Sequence, residues 1–265
     1  MRDLHPKYWL CLPIASFLIC VAVGVISPTA YRQYIRKHEV GLVEHGTVVC
    51  AAAAVALGVT VWRRRRQFPA AWLAGWSMLI TLGAFYFGGE ECSWGQNYFK
   101  WATPESWSKI NDQDETNLHN LSAAFDQLPR DLLTAAAAVG VVAPLALLRR
   151  RRRWDARTNR WAWLLPTTAV VPAALLAILV GLPQKLYGRY DDHGAAVRSW
   201  FSEMFLNGRH SELKECFLAM FIMIYLWSLL HRLRTMDASM PAILDPAPPA
   251  TASRGRSAGP TYRQT

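Results

Sequence analysis

Apolar residues in this chain come in blocks, and six of the blocks are long enough to cross a membrane as helices: residues 8–26, 42–62, 69–87, 132–148, 161–182 and 212–230. A hydrocarbon core of ~30 Å is spanned by ~20 helical residues, so each block is about one crossing. The sixth is purely apolar only over residues 216–230, which puts its first turn in the interface. The blocks are continuous rather than alternating, which favours helices over a barrel. Trp9, Trp62, Trp72, Trp161 and Trp163 flank them, at the headgroup level that indole rings prefer. The pattern predicts an all-α polytopic helix bundle over residues 1–236 with six transmembrane helices. The tail 237–265, rich in Pro, Ala, Ser, Thr and Arg, is expected to be disordered. The first block has 19 residues, more than the ~7–15 of a secretion signal, and is expected to be a retained span.

Charge sharpens this picture. Only 18% of residues are charged, where a soluble domain carries about a quarter. The net charge of +10 does not point to nucleic acid, because the arginines form short runs against apolar blocks, Arg63 to Arg66 and Arg149 to Arg153. With the N-terminus inside, 18 of the 29 Lys and Arg residues fall in cytoplasmic segments, which are also the shorter ones. Both termini are therefore expected in the cytoplasm. The Ala-, Arg- and Trp-rich composition points to a bacterial plasma (inner) membrane. Five cysteines show no CxxC spacing, so no zinc-thiolate site is expected. Cys92 and Cys216 both map to the outer side, where a disulfide is chemically permitted.

The acidic residues are skewed in a way that orientation does not explain, since acids contribute little to topology. Of 19, only Asp3, Asp155, Asp237 and Asp245 are assigned to cytoplasmic segments. The densest outer stretch, Gly88-Gly89-Glu90-Glu91-Cys92-Ser93-Trp94-Gly95-Gln96-Asn97, begins where the third span ends. Glu90 and Glu91 then sit at a helix C-terminus near the membrane surface, where the macrodipole disfavours negative charge and a cation, metal or Arg, would relieve it. Thr103-Pro104-Glu105 reads as a helix start with Thr103 as cap. In the segment 115–126, Glu115, His119, Ser122 and Asp126 recur at intervals of 4, 3 and 4, with Leu118, Leu121 and Phe125 on a second stripe. That spacing predicts an extracytoplasmic amphipathic helix leading into the fourth span, with Pro129 at the join. Glu212 and Glu215 open the sixth span, and Glu44 with His45 opens the second at the same level. No HExxH, P-loop, nucleophile elbow or dinucleotide fingerprint occurs.

GGEECSWGQNYF, followed by TPESW and ETNLHN, resembles a group of bacterial multi-pass membrane proteins that carry an EExSWGQ…TPE…ETNLHN signature. The matching positions are Glu90, Glu91, Ser93 to Gln96, Thr103 to Glu105 and Glu115 to Asn120, and the likeness covers roughly residues 39–231. It implies a shared fold and a shared outer-face site, and no particular reaction. The CAAX-protease pattern Glu-Glu-x-x-x-Arg is not met, since Gly95 stands in the Arg position. The alkaline-ceramidase type of membrane hydrolase needs more histidines than His119, with His45, supplies.

Two functions of different kind follow. The first is a metal-dependent hydrolase or transferase acting on a lipid or lipid-linked substrate at the outer face. Glu90, Glu91 and His119 would bind a divalent metal ion and Glu115, or Glu90, would act as general base. Glu44, Gln96, Asn117, Asn120, Glu212 and Glu215 are further candidates. The second is a non-catalytic membrane protein, an envelope-assembly subunit or a carrier. A carrier usually places ionisable groups near mid-membrane, and the deep parts of these spans carry almost none.

Overall fold

The apolar blocks form six long helices, in a computed structural model that describes residues 3–35, 41–111, 115–118, 121–149, 160–187 and 211–237. They are α1 (Pro6–Ile26), α2 (Leu42–Arg63), α3 (Ala71–Glu91), α4 (Ala123–Arg149), α5 (Val171–Tyr187) and α6 (Ser211–Asp237). No strand occurs among the described residues. Six stretches have the length and apolarity of a membrane span, the fifth beginning at Trp161, ahead of α5. Successive helices alternate in direction. Glu44, Glu91, Arg130 and Glu215 thus share one end of the bundle, the acidic end, and Arg63 to Arg65 and Arg234 share the other.

α6 is the central helix. Its most apolar stretch is 89% buried, against 17–33% for the other five. Such a helix is apolar all round rather than striped, and Phe217, Leu218, Ile224, Leu226, Leu229 and Leu233 are all nearly inaccessible. α2 and α5 pack most closely on α6, and α3 packs on α2. The outer helices turn Leu79, Leu82, Val142 and Ile19 outward, as lipid-facing surfaces do.

Between α2 and α3 the contact is made by small residues. Ala74, Ser77, Thr81 and Ala84 are buried on α3 at heptad-like spacing, facing Ala51, Ala54 and Gly58 on α2. A Cβ on Gly58 would overlap the Thr81 side chain, and one on Gly88 would lie 2.8 Å from the Ala51 methyl. Close approach of this kind replaces the hydrophobic driving force that lipid removes. Gly58→Ala is expected to cost about 1–3 kcal/mol by overpacking. Adding Thr81→Ala should return much of the loss in a thermal melt in detergent, because both changes act on one contact.

Two expectations meet corrections here. Residues 115–118 are irregular rather than helical, and α4 starts at Ala123 and continues past Pro129 and Pro144. The periodicity at 115–118 is overridden because backbone N–H groups of that segment are bonded by side chains from elsewhere. Thr116 N–H goes to Gln96 and Leu118 N–H to Glu90. Local side-chain acceptors compete with helix in this way. Thr103 is likewise not a helix cap: its hydroxyl accepts from Gln96, and the short helix Glu105–Ser108 starts without a side-chain cap.

The fifth span is broken. A turn of helix, Trp161–Leu164, ends at Leu165, which is extended (ψ 138°) as the residue before Pro166 must be. Pro166 has no N–H to give the carbonyl of Ala162, four residues back. The guanidinium of Arg232 on α6 fills that vacancy, with Nη1 donating to Ala162 O at 2.8 Å. The Tyr225 hydroxyl donates to Leu164 O at 2.9 Å and accepts from Trp76 Nε1 at 2.9 Å. Arg232 is buried (3% exposed), so it belongs to the bundle interior rather than to a solvated arginine collar.

Candidate functional site at the acidic end

The end of α3 carries two carboxylates that face different surroundings. Adjacent helical positions are ~100° apart, and Glu90 and Glu91 are used accordingly.

Glu90 faces the segment that caps the acidic end. After Cys92 the chain enters the left-handed region at Ser93 (φ 47°), Trp94 (φ 56°) and Gly95 (φ 105°). Two non-glycine residues there cost ~1–2 kcal/mol each, which the surrounding bonds must offset. The turn lays the Trp94 ring over Gly89, where a Cβ would lie 2.8 Å from it, with Phe85 and Tyr86 at its edge. The Trp94 indole then donates to Glu90 Oε1 at 2.7 Å, and Leu118 N–H donates to Glu90 Oε2 at 2.8 Å. Both carboxylate oxygens are engaged, and the residue is buried.

Behind Glu90 lies a closed polar network. Ser93 Oγ donates to Glu115 Oε2 at 2.8 Å and accepts from Asn117 Nδ2 at 3.2 Å. Asn117, fully buried, also donates to the Glu115 carboxylate. Asn111 Nδ2 donates to the Glu115 carbonyl at 2.7 Å. Gln96 accepts from Thr116 N–H at 2.6 Å and donates to Thr103 Oγ1 at 2.8 Å. Such a network fixes one arrangement of the cap, since each lost partner would leave a buried polar group unpaired. Phe99 and Trp101 stack on the outer surface of this cap, and both are exposed.

Glu91 faces inward along the bundle rim. Its carboxylate is within electrostatic reach of Glu215, Arg130, Glu44 and Glu212, and no hydrogen bond among the described residues claims it. Arg130, about two turns into α4, pairs with the buried Glu215 of α6, Nε to Oε1 at 2.9 Å. Glu44 in the first turn of α2 accepts from Asn97 Nδ2 at 3.5 Å. Beside it, His45 Nδ1 and the Tyr98 hydroxyl are 3.1 Å apart with their rings stacked. Burial, aided by the charges of Cys92 and Glu44, pushes the Tyr98 hydroxyl above its usual pKa, so it remains a proton donor at neutral pH. Four carboxylates tolerate this proximity for a structural reason. Glu44 and Glu212 lie in the first turns of α2 and α6, whose positive dipole ends therefore flank the negative end of α3.

The residues singled out from sequence thus divide. Glu90, Gln96, Glu115 and Asn117 gather in the cap network, while Glu44, Glu91, Glu212 and Glu215 gather around Arg130. His119 and Asn120 lie outside the described residues, as does the Asp126 side chain. Among the described residues no three or more His, Cys, Asp or Glu groups converge closely enough to hold a metal ion. All five cysteines, Cys92 and Cys216 included, are free thiols. Sequence reasoning missed Arg130, Asn97, Tyr98 and Asn111. Arg130 had one signal, as a single basic residue beside Pro129 where an apolar span begins. No family model, curated protein or solved structure matches the chain.

Proposed function

We propose that this protein is a bacterial plasma-membrane enzyme, a hydrolase or transferase, acting at the outer face on a lipid or lipid-linked substrate. Both termini are in the cytoplasm in this reading, which rests on the arginine runs at one end of the bundle and the carboxylates at the other. The observation that carries the reading is Glu91, a carboxylate with no hydrogen bond among the described residues, facing three other carboxylates and one guanidinium. Surplus negative charge at a partly buried rim is what a divalent metal ion, or a cationic substrate group, would balance. Glu91 and Glu215 have the oxygen ligands that such a metal takes. A complete set also needs His119, because the described carboxylates do not close into three ligands. Bound there, a metal would supply an activated water or polarise a phosphoryl or acyl oxygen. Glu90 and Glu115 serve in this scheme as posts of the cap, which holds the rim in shape. The exposed Phe99 and Trp101 support a lipid substrate, since aromatic rings at this level sit among headgroups.

Metal analysis of detergent-purified protein tests the proposal. Wild type is expected to retain a stoichiometric transition metal that Glu91→Gln and His119→Ala both reduce to background. Full occupancy in the Glu91→Gln and His119→Ala double variant, or no retained metal in wild type purified without chelator, sinks it. The same exposed aromatics favour a second reading, a subunit of an envelope assembly. A stable partner that co-purifies with wild type and is lost on Phe99→Ser with Trp101→Ser would select that one.

A further inference from the structure

At the opposite end of the bundle a second polar cluster lies between the N-terminal segment, the broken fifth span and α6, away from the carboxylate rim and from any role proposed for it. Asp3 reaches into the bundle from the N-terminal segment, and its Oδ1 accepts from Leu4 N–H and from Ser228 Oγ on α6, each at 2.8 Å. One turn along α6, Arg232 Nε donates to the Ser228 carbonyl at 3.4 Å and Nη1 to Ala162 O at 2.8 Å. The guanidinium lies 5.7 Å from the centroid of the Trp163 ring, a cation–π distance. Both charged side chains therefore hold the same residue, Ser228.

Two atoms in this cluster have no partner among the described residues. Asp3 Oδ2 and Arg232 Nη2 are both buried from solvent and make no hydrogen bond there. One is an acceptor and the other a donor, and they carry opposite charge. Leaving each unpaired would cost a charged group's desolvation, several kcal/mol by order of magnitude. Neither can be satisfied by Tyr225, whose hydroxyl is committed to Trp76 and Leu164. Nor do the two close on each other as an ion pair, though Arg232 feels the Asp3 charge. Thr167 Oγ1, 3.3 Å from Ser228 Oγ, adds a further polar atom to the lining.

We infer that this cluster is a binding site for one ordered water molecule, which accepts from Arg232 Nη2 and donates to Asp3 Oδ2. A buried water needs two to four polar partners, and these two complementary atoms supply two of them. The water joins the N-terminal segment to the central helix and to the broken fifth span at once. Leu4 is consequently buried beside it, and its carbonyl accepts from Trp9 Nε1 at 3.0 Å. Arg232 is then a structural cation of the interior.

Radiolytic hydroxyl labelling of the full chain in detergent, with rapid mixing into 18O water, reads this directly. A trapped water generates radicals where it sits, so Trp163 and Tyr225, both shielded from bulk solvent, are expected to be labelled. They should retain 16O far longer than exposed Trp161. Asp3→Leu with Arg232→Met removes both polar atoms together, which buried ion pairs often tolerate, and should abolish the Trp163 and Tyr225 labels. Asp3→Glu, whose longer arm reaches the guanidinium and expels the water, should abolish them too without lowering the melting temperature. Unlabelled Trp163 and Tyr225 in wild type overturn the inference, as does a melting temperature that falls as far with Asp3→Glu as with Asp3→Ala, the mark of a direct contact already filled.

Discussion

An Arg130→Met variant is expected to lose roughly 2–4 kcal/mol of stability, among the largest effects of any single change at the acidic end. Removing one partner of a buried ion pair typically costs about 3–5 kcal/mol, because the other charge stays buried without compensation. Solvent moderates that figure here: the Arg130 side chain keeps 35% of its surface exposed while that of Glu215 keeps 5%. Arg130 is also the cation that Glu91 faces together with three carboxylates. Its loss therefore strands more than Glu215. Adding Glu215→Gln to Arg130→Met should restore a large part of the loss, whereas Glu215→Gln alone leaves Arg130 near Glu91 and costs less. A double-mutant cycle of thermal melts in detergent checks this. Additive losses would show that the two residues do not depend on one another and that the rim is not organised around the pair.

The second large effect separates the two neighbouring glutamates. Glu90→Ala removes the acceptor for both the Trp94 indole and the Leu118 amide. Hydrogen bonds to a charged acceptor contribute about 1.5–3 kcal/mol each, so a loss of about 3–5 kcal/mol is expected. It should be local in character. The cap also holds three left-handed residues in sequence, and without Glu90 that strain has less to oppose it. In hydrogen exchange, Leu118 and Thr116 should lose protection while α2, α6 and the far end of the bundle keep theirs. Glu90→Gln is intermediate, since an amide can accept from one of the two donors and turns its own N–H toward the other. Glu91→Gln should leave cap protection untouched. Unchanged exchange at Leu118 in Glu90→Ala would mean that the cap docks through its other bonds, and Glu90 would return to the list of groups open to a ligand.

These two outcomes bear on how the site is divided. Sequence reading placed Glu90, Glu91, Glu115 and His119 in one pocket because they lie in one stretch of outer loop. In the fold a single step along α3 sends Glu90 and Glu91 to different neighbours. Glu115 follows Glu90, through Ser93 and Asn117. Glu91 is left with Glu44, Glu212 and Glu215, residues up to about half the chain away. The reading of 115–118 as helix failed for a related reason: a periodic sequence states a preference, and acceptors on Gln96 and Glu90 outbid it.

What the sequence determined by itself was the set of spans and the gathering of carboxylates at one end. Both follow from solvent partition, which acts on each segment separately: an apolar block of sufficient length is helical in lipid wherever its neighbours are. Only the tertiary structure decided which helix is central, that the fifth span breaks so that Arg232 can cap a carbonyl without its amide, and which of two adjacent glutamates is engaged. Those depend on the rotation of each helix about its own axis and on contacts between residues distant in the chain. Hydropathy is averaged over a whole turn and carries no record of either.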